Sequence, residues 1–284
     1  MRVALIANRA SGSGLDPDPL VRAMRSRGAD VSVFGCEAAD LERAGAGAPE
    51  RLVVAGGDGT VASVAELAGR LEVPLGVIPG GTANDFVRTS GLPLDPLEAA
   101  VLAVTGETLR RLELGRLGDG RPFVNVASAG LASVAARRAS ALKPLLGPLA
   151  YAVGGLRAAL TAAPLRCSIR VAGEPVFDGG AWQVIVAVTG AFGGGSEVGA
   201  ADPQDGVLDV AILPAGSRAG LARRAWGMRR GTITEQRGVE HHRAAVIEVQ
   251  LPPGTEINAD GEVREQGMER MTVERSAYAL VVPG

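Results

Sequence analysis

Leu52-Val53-Val54-Ala55-Gly56-Gly57-Asp58-Gly59-Thr60 is an apolar run that ends in a turn only small residues can make. The run reads as a buried strand. Glycine tolerates positive φ and lets backbone N–H groups come close to a ligand. Thr60 opens a segment with helical spacing, Val61 to Arg70. A glycine-rich turn at a helix N-terminus is a ready site for phosphate. Asp58, in the middle of that turn, would repel phosphate unless a divalent cation or a positioned hydroxyl intervenes. The pairing points to Mg-nucleotide chemistry.

Strand and helix signals alternate on both sides of this turn. Arg2–Ala7, Asp30–Phe34, Arg51–Ala55 and Leu75–Ile78 read as strands. Pro19–Arg27, Ala38–Ala44, Val61–Arg70, Asn84–Thr89 and Leu97–Val104 read as helices between and after them. Such alternation predicts an α/β domain, a parallel sheet flanked by helices, over residues 1–118. Ligands of such sheets bind beyond the carboxyl ends of the strands. Three turns rich in Gly or Ser follow strand ends there: Asn8–Gly14, Gly56–Thr60 and Pro79–Asp85.

From about Leu109 the pattern changes. Short β-branched runs appear at Phe123–Ala127, Cys167–Val171, Trp182–Val188, Val207–Leu213, Ala245–Leu251, Met271–Val273 and Ala279–Val282. They predict a largely antiparallel β-sandwich domain over residues 119–284, whose last strand can return to the first domain. Helical segments near Ser133–Thr161 and Ser217–Gly231 interrupt it.

Composition removes several functions. The net charge of −2 gives no global electrostatic case for nucleic acid. Lysine occurs once, at Lys143, so the chain has no Gly-Lys-Ser or Gly-Lys-Thr and no Walker-type P-loop. Phosphate must be held by backbone amides, hydroxyls, Arg or metal. Cys36 and Cys167 are too far apart for a metal spacing and read as small hydrophobes. His241 and His242 are adjacent, would face opposite sides of a strand, and carry no assigned role. No secretory signal and no span of about 20 apolar residues is visible, which predicts a cytoplasmic chain.

Three further turns matter. Asn8-Arg9-Ala10-Ser11-Gly12 reads either as a flexible loop or as a phosphate cradle in which Asn8 fixes the turn. Asp202-Pro203-Gln204-Asp205-Gly206-Val207 places two carboxylates around a turn. That suits a hard cation, although a solvated Asp-rich turn is the ordinary reading. Asn258-Ala259-Asp260-Gly261-Glu262 is a strand entering a tight turn, and Glu262 is either an exposed acid or a general base.

Taken together, Asn-x-x-Ser-Gly, Gly-Gly-Asp-Gly-Thr, Pro-x-Gly-Thr-x-Asn-Asp, Asp-Gly-x-Leu-Asp and Asp-Gly-Glu resemble one family across nearly the whole chain. It is that of the bacterial diacylglycerol kinase-like lipid kinases, related to sphingosine kinases and more distantly to NAD kinases. The resemblance implies ATP bound at Asn8, Arg9, Ala10, Ser11 and Gly12, at Gly56, Gly57, Asp58, Gly59, Thr60, Val61 and Ala62, and at Thr82. It implies that Asp58 acts with Mg²⁺ near the phosphates and that Glu262 is the catalytic base. Asp202, Asp205 and the Val207 carbonyl match a structural Mg²⁺ site. The chain departs from the family at Ala62 and Ser63, where many relatives carry Asn and Glu, and at Glu113, where the family has Asp.

The implied reaction transfers the γ-phosphoryl group of ATP to the hydroxyl of a membrane lipid, with diacylglycerol the leading acceptor. Such an enzyme would touch the inner membrane face peripherally. Ser217–Gly231, with Arg218, Arg223, Arg224, Arg229, Arg230 and Trp226, is either that contact or a solvated helix face over a buried Trp. A homodimer is possible, and nucleic acid is not an expected partner. An NAD-kinase-like phosphotransferase and a catalytically weak nucleotide-binding regulator are the alternative readings.

Overall fold

The computed structural model describes residues 1–12, 14–131, 163–191, 197–198, 201–265 and 270–284. The helical stretch expected near Ser133–Thr161 lies outside them. The chain divides into two units, Met1–Leu114 with Glu274–Gly284, and Gly115–Val273.

The first unit is a parallel sheet of β1 (Arg2–Ala7), β2 (Asp30–Phe34), β3 (Arg51–Gly56) and β4 (Leu75–Pro79). The C-terminal part of a later strand, Arg270–Val281, completes it. The order is β2–β1–β3–β4 followed by that strand, which pairs parallel to β4 at Leu280↔Leu75. Helices α1 (Asp18–Arg25), α2 (Ala38–Ala46), α3 (Asp58–Leu71), α4 (Asp85–Thr89) and α5 (Pro96–Thr105) connect the strands. Both sheet faces are covered, so β3 reads as continuous apolar residues rather than as an alternation. Leu52, Val53, Val54 and Ala55 are wholly buried. Val53 and Ala55 pack with Leu20, Met24, Ala99, Ala100 and Ala103 of α1 and α5.

Two glycines set the helix distances. A Cβ at Gly76 would meet the Cβ of Ala103 at 2.5 Å, which seats α5 directly on β4. A Cβ at Gly69 would overlap the Ala277 carbonyl, which seats α3 against the last strand. Asp95 caps α5 by accepting from the N–H groups of Leu97 and Glu98, both at 2.9 Å. The next residue, Pro96, is pre-set for the first helical position.

The second unit is mostly antiparallel. Its described strands are β6 (Pro122–Phe123), β7 (Val126–Gly130), β8 (Leu165–Val171), β9 (Glu174–Ala187), β10 (Leu208–Pro214), β11 (Glu240–Ala244), β12 (Val246–Gln250), β13 (Glu256–Ala259) and β14 (Glu262–Glu265). β5 (Leu109–Arg116) leads into it and pairs with β6. Long β9 is the spine: β8 pairs with its first half, β7 and β10 with its second. Inward residues of these strands, among them Val184, Val186, Val210, Ile212, Ile247 and Ile257, form the core. The helix α6 (Ala219–Arg229) follows β10.

Three boundaries differ from the sequence expectation. Helix α3 begins at Asp58 rather than Val61, because the Gly57 carbonyl accepts from Thr60 and Val61 at 3.0 and 3.1 Å. The strand expected over Phe123–Ala127 is broken between β6 and β7. Asp260 takes the N–H groups of Val124, Asn125 and Val126 there, at 2.6, 2.9 and 3.1 Å. Met271–Val273 and Ala279–Val282, expected as two strands, belong to one, β15 (Arg270–Val281), with Ser276 at φ 50° inside it.

Candidate functional site

The first unit joins three loops at the carboxyl ends of β1, β3 and β4. Asn8 organises the first. Its Oδ1 accepts from the Ala10 N–H at 3.1 Å, and its Nδ2 donates to Thr60 Oγ1 at 3.0 Å. The Ser11 hydroxyl accepts from the Gly57 N–H at 3.3 Å. The Gly80 N–H donates to the Gly56 carbonyl at 3.0 Å. Asn84, in the left-handed region at φ 50°, closes the third loop, accepting from Gly81 N–H at 2.8 Å and donating to Gly81 O at 3.1 Å.

The glycines are needed because backbone packs on backbone. Gly12 sits at φ 60°, and a Cβ on it would lie 2.8 Å from the Gly80 carbonyl oxygen. A Cβ on Gly81 would lie 2.8 Å from the Gly57 Cα. Asn8 through Gly12, Gly56 through Ala62 and Thr82 are therefore brought together as one surface. Gly56, Val61 and Ala62 are the exceptions in exposure: all three are buried and support the turn from beneath.

Helix α3 reaches this surface with no side chain capping its N-terminus, Gly57 being the N-cap. The first turn of any helix has N–H groups without intrahelical acceptors. Thr60 donates to Gly57, which leaves those of Asp58 and Gly59 as the donors that α3 can offer. The helix is 14 residues long, so its dipole adds positive potential at that point. Arg9 and Thr82 are exposed beside it, and among the described residues no carboxylate pairs with Arg9.

Asp58 does something its position in the turn did not suggest. Its Oδ1 accepts from the Phe86 N–H at 2.9 Å and its Oδ2 from the Asp85 N–H at 3.3 Å. It thereby caps α4 across the sheet edge and ties the second loop to the third. Both oxygens keep a second lone pair for other partners.

Glu262 lies in the second unit, exposed at the start of β14, with Oε2 at 2.9 Å from Arg264. Its turn is built by neighbours that sequence reasoning passed over. Asp260 holds three backbone N–H groups, and Asn258 Oδ1 accepts from Gly261 N–H at 2.9 Å.

The turn holding Asp202, Asp205 and Val207 is self-satisfied. Asp202 Oδ1 accepts from Gln204 N–H and Asp205 Oδ1 from Val207 N–H, both at 3.1 Å. The other oxygen of Asp205 is paired with the Arg243 guanidinium. Arg243 also lies 3.3 Å from Oδ1 of the fully buried Asp209, which His241 meets at 2.6 Å. A hard cation held by Asp202, Asp205 and the Val207 carbonyl would compete with the Arg243 guanidinium for Asp205. Among the described residues no group of three or more His, Cys, Asp or Glu could hold a metal. His241, given no role from sequence, is thus a partner of a buried carboxylate.

Residues 2–117 match the model of the diacylglycerol kinase catalytic domain. Residues 125–282 match that of the YegS C-terminal NAD kinase beta sandwich-like domain. The chain belongs to the diacylglycerol kinase and YegS-like lipid kinase family. A protein of Pseudomonas aeruginosa named "Probable lipid kinase YegS-like" is 33% identical, the match covering 99% of this chain and 94% of that protein. A "Diacylglycerol kinase" of Mycobacterium tuberculosis is 30% identical over 92% of this chain and 88% of its own length. In fold, a diacylglycerol kinase crystal structure from Bacillus anthracis matches with a TM-score of 0.77 at 23% identity, covering 99% of this chain and 97% of its own. An Archaeoglobus fulgidus NAD kinase solved with ATP matches at 0.55 and 16% identity, over 99% and 94% of the two chains. This member of the kinase family keeps the family's two-part construction: a parallel α/β unit, then a mostly antiparallel one. No helix among its described residues is long and apolar enough to cross a membrane.

Proposed function

We propose that this kinase transfers the γ-phosphoryl group of ATP to the hydroxyl of a membrane lipid, diacylglycerol being the acceptor that the family names favour. The observation that carries the reading is the uncapped N-terminus of α3, set among three glycine loops that hydrogen bonds lock together. Backbone amides placed this way suit a triphosphate and explain why the chain needs no P-loop lysine.

In this reading Asn8, Arg9, Ala10, Ser11, Gly12, Gly56, Gly57, Gly59, Thr60 and Thr82 cradle the phosphates. Phosphoryl transfer depends on positioning and charge neutralisation more than on covalent chemistry. Asp58, whose oxygens each keep a lone pair, would help hold a Mg²⁺ ion bound with ATP, which would supply charge neutralisation at the phosphates. Asp58 holds the second and third loops in register and keeps α4 capped. Glu262, oriented by Arg264, accepts the alcohol proton. The Asp202, Asp205 and Val207 turn carries no step.

Radiolabelled ATP with a total lipid extract, followed by identification of the labelled species, tests the proposal. A labelled phospholipid that disappears with Glu262→Gln supports it. Label passing to NAD instead would favour the NAD-kinase-like alternative. Nucleotide binding without transfer to any lipid would mark a regulator.

A further inference from the structure

We propose that α6 is a membrane-docking element that seats on an anionic lipid surface through Trp226, flanked by Arg223 and Arg230. The proposal rests on the lipid-kinase reading for its purpose but not for its evidence.

Helix α6 has two faces. Leu221, Arg224 and Met228, at helical spacing, turn inward. Leu221 and Met228 pack with Trp182, Leu213 and Ile233. Arg224 donates to the carbonyls of Pro214 at 2.6 Å and Gly238 at 3.5 Å. Gly227 lies so close to Gln236 that a Cβ would overlap its side chain, and Gln236 donates to the Arg223 carbonyl at 2.9 Å. The helix is therefore held firmly on the second unit before any partner arrives.

Arg223, Trp226 and Arg230 recur at the i, i+3, i+7 spacing of the opposite face, and all three are exposed. Trp226 is 60% exposed, more than any other large hydrophobic residue described. The Arg230 guanidinium lies 4.8 Å from the centre of its ring. A lone exposed apolar residue is ordinary. A Trp stacked under Arg, with a second Arg one turn away, is the pattern of an interfacial anchor, where the indole sits at headgroup depth and the cations meet phosphate.

The charge is one-sided. No acid occurs between Asp209 and Glu235, while Arg218, Arg223, Arg224, Arg229 and Arg230 all fall in that interval. Among the described residues no carboxylate pairs with Arg223, Arg230 or the nearby exposed Arg237. Exposed Glu235 and Glu197, whose N–H bonds the Met228 carbonyl at 2.8 Å, are the acids at the helix's C-terminal end. A second copy of the chain fits poorly, because a two-fold contact would set the same arginines against each other. Anionic lipid is the complementary occupant.

The chain has two tryptophans, and Trp182 is 4% exposed, so a fluorescence change on docking reports Trp226. Vesicles of phosphatidylglycerol should shift the emission to the blue, brominated acyl chains should quench it, and phosphatidylcholine vesicles should do neither. Arg223→Gln with Arg230→Gln should weaken vesicle binding about 30-fold, from roughly 1 kcal/mol per arginine at an anionic surface. All these side chains are exposed, so the thermal midpoint should not move. Unchanged emission with anionic vesicles, equal binding by the double variant, or a blue shift that grows with protein concentration without lipid would each overturn the proposal. Vesicle binding needs no turnover. Docking without phosphoryl transfer would sink the kinase reading alone, and transfer with unaltered docking of the double variant would sink this one alone.

Discussion

Replacing Gly12 by Ala tests whether the three loops form one rigid cradle. Two costs add at this position. The φ of 60° is left-handed backbone, which costs a residue with a Cβ roughly 1–2 kcal/mol. The new methyl would also stand 2.8 Å from the Gly80 carbonyl, an overpacking contact of about 1–3 kcal/mol. Neither neighbour can yield easily, because Gly80 is tied to Gly56 and Gly57 to Ser11. The first loop should leave its ligand-ready conformation, and even the lower sum of about 2 kcal/mol raises the Kd for nucleotide about 30-fold. Gly28→Ala is the control. Its φ of 82° carries the same backbone cost, nothing lies within 4 Å of its Cβ, and it precedes β2 at the other end of the parallel sheet. It should lower stability and leave nucleotide affinity alone. Calorimetric titration with a non-hydrolysable ATP analogue, alongside thermal unfolding, separates the two effects. Wild-type affinity in Gly12→Ala, or equal weakening in both variants, would refute the idea of a shared backbone cradle.

Asp58→Asn should lower both stability and turnover, since the amide presents a donor to one of two N–H groups at the start of α4; a capping loss of about 1 kcal/mol is expected by denaturant titration. Asp260→Ala leaves the N–H groups of Val124, Asn125 and Val126 without their acceptor and should cost about 2–4 kcal/mol in urea unfolding. Removing Mg²⁺ with EDTA should leave the thermal midpoint of the nucleotide-free protein unchanged, because Arg243 already neutralises Asp205, whereas Arg243→Ala should gain stabilisation from millimolar Mg²⁺. Burial, with a smaller contribution from Asp178, pushes the Cys167 thiol up to about 11, so one thiol, the exposed Cys36, should react rapidly with a disulfide reagent at pH 8. The folded state keeps Cys167 protonated longer than the unfolded chain does. Its contribution is therefore complete below pH 9 and should fade as pH rises through 11, which pH-dependent unfolding would show.

Local features were legible in the chain because they depend on short-range physics. Apolar runs such as Leu52–Ala55 are strands whatever surrounds them, glycine turns need small residues wherever they stand, and the alternation before Leu109 admits only a parallel sheet with helices on its faces. The motif order carried the family in the same way. What tertiary structure decided is which groups meet across long sequence distances. The Asp58 carboxylate grips backbone 27 and 28 residues away. Asp260 ends one strand and starts another at positions about 135 residues earlier. Arg243 pairs with Asp205 from 38 residues away, and His241, one of two adjacent histidines without a motif, supplies a partner of buried Asp209. Trp226 could have been core or surface on composition alone, and the pinning of α6 by Arg224 and Gln236 turned it outward. Periodicity and turn chemistry are properties of neighbouring residues, whereas a hydrogen bond closed by folding depends on the path of the whole chain.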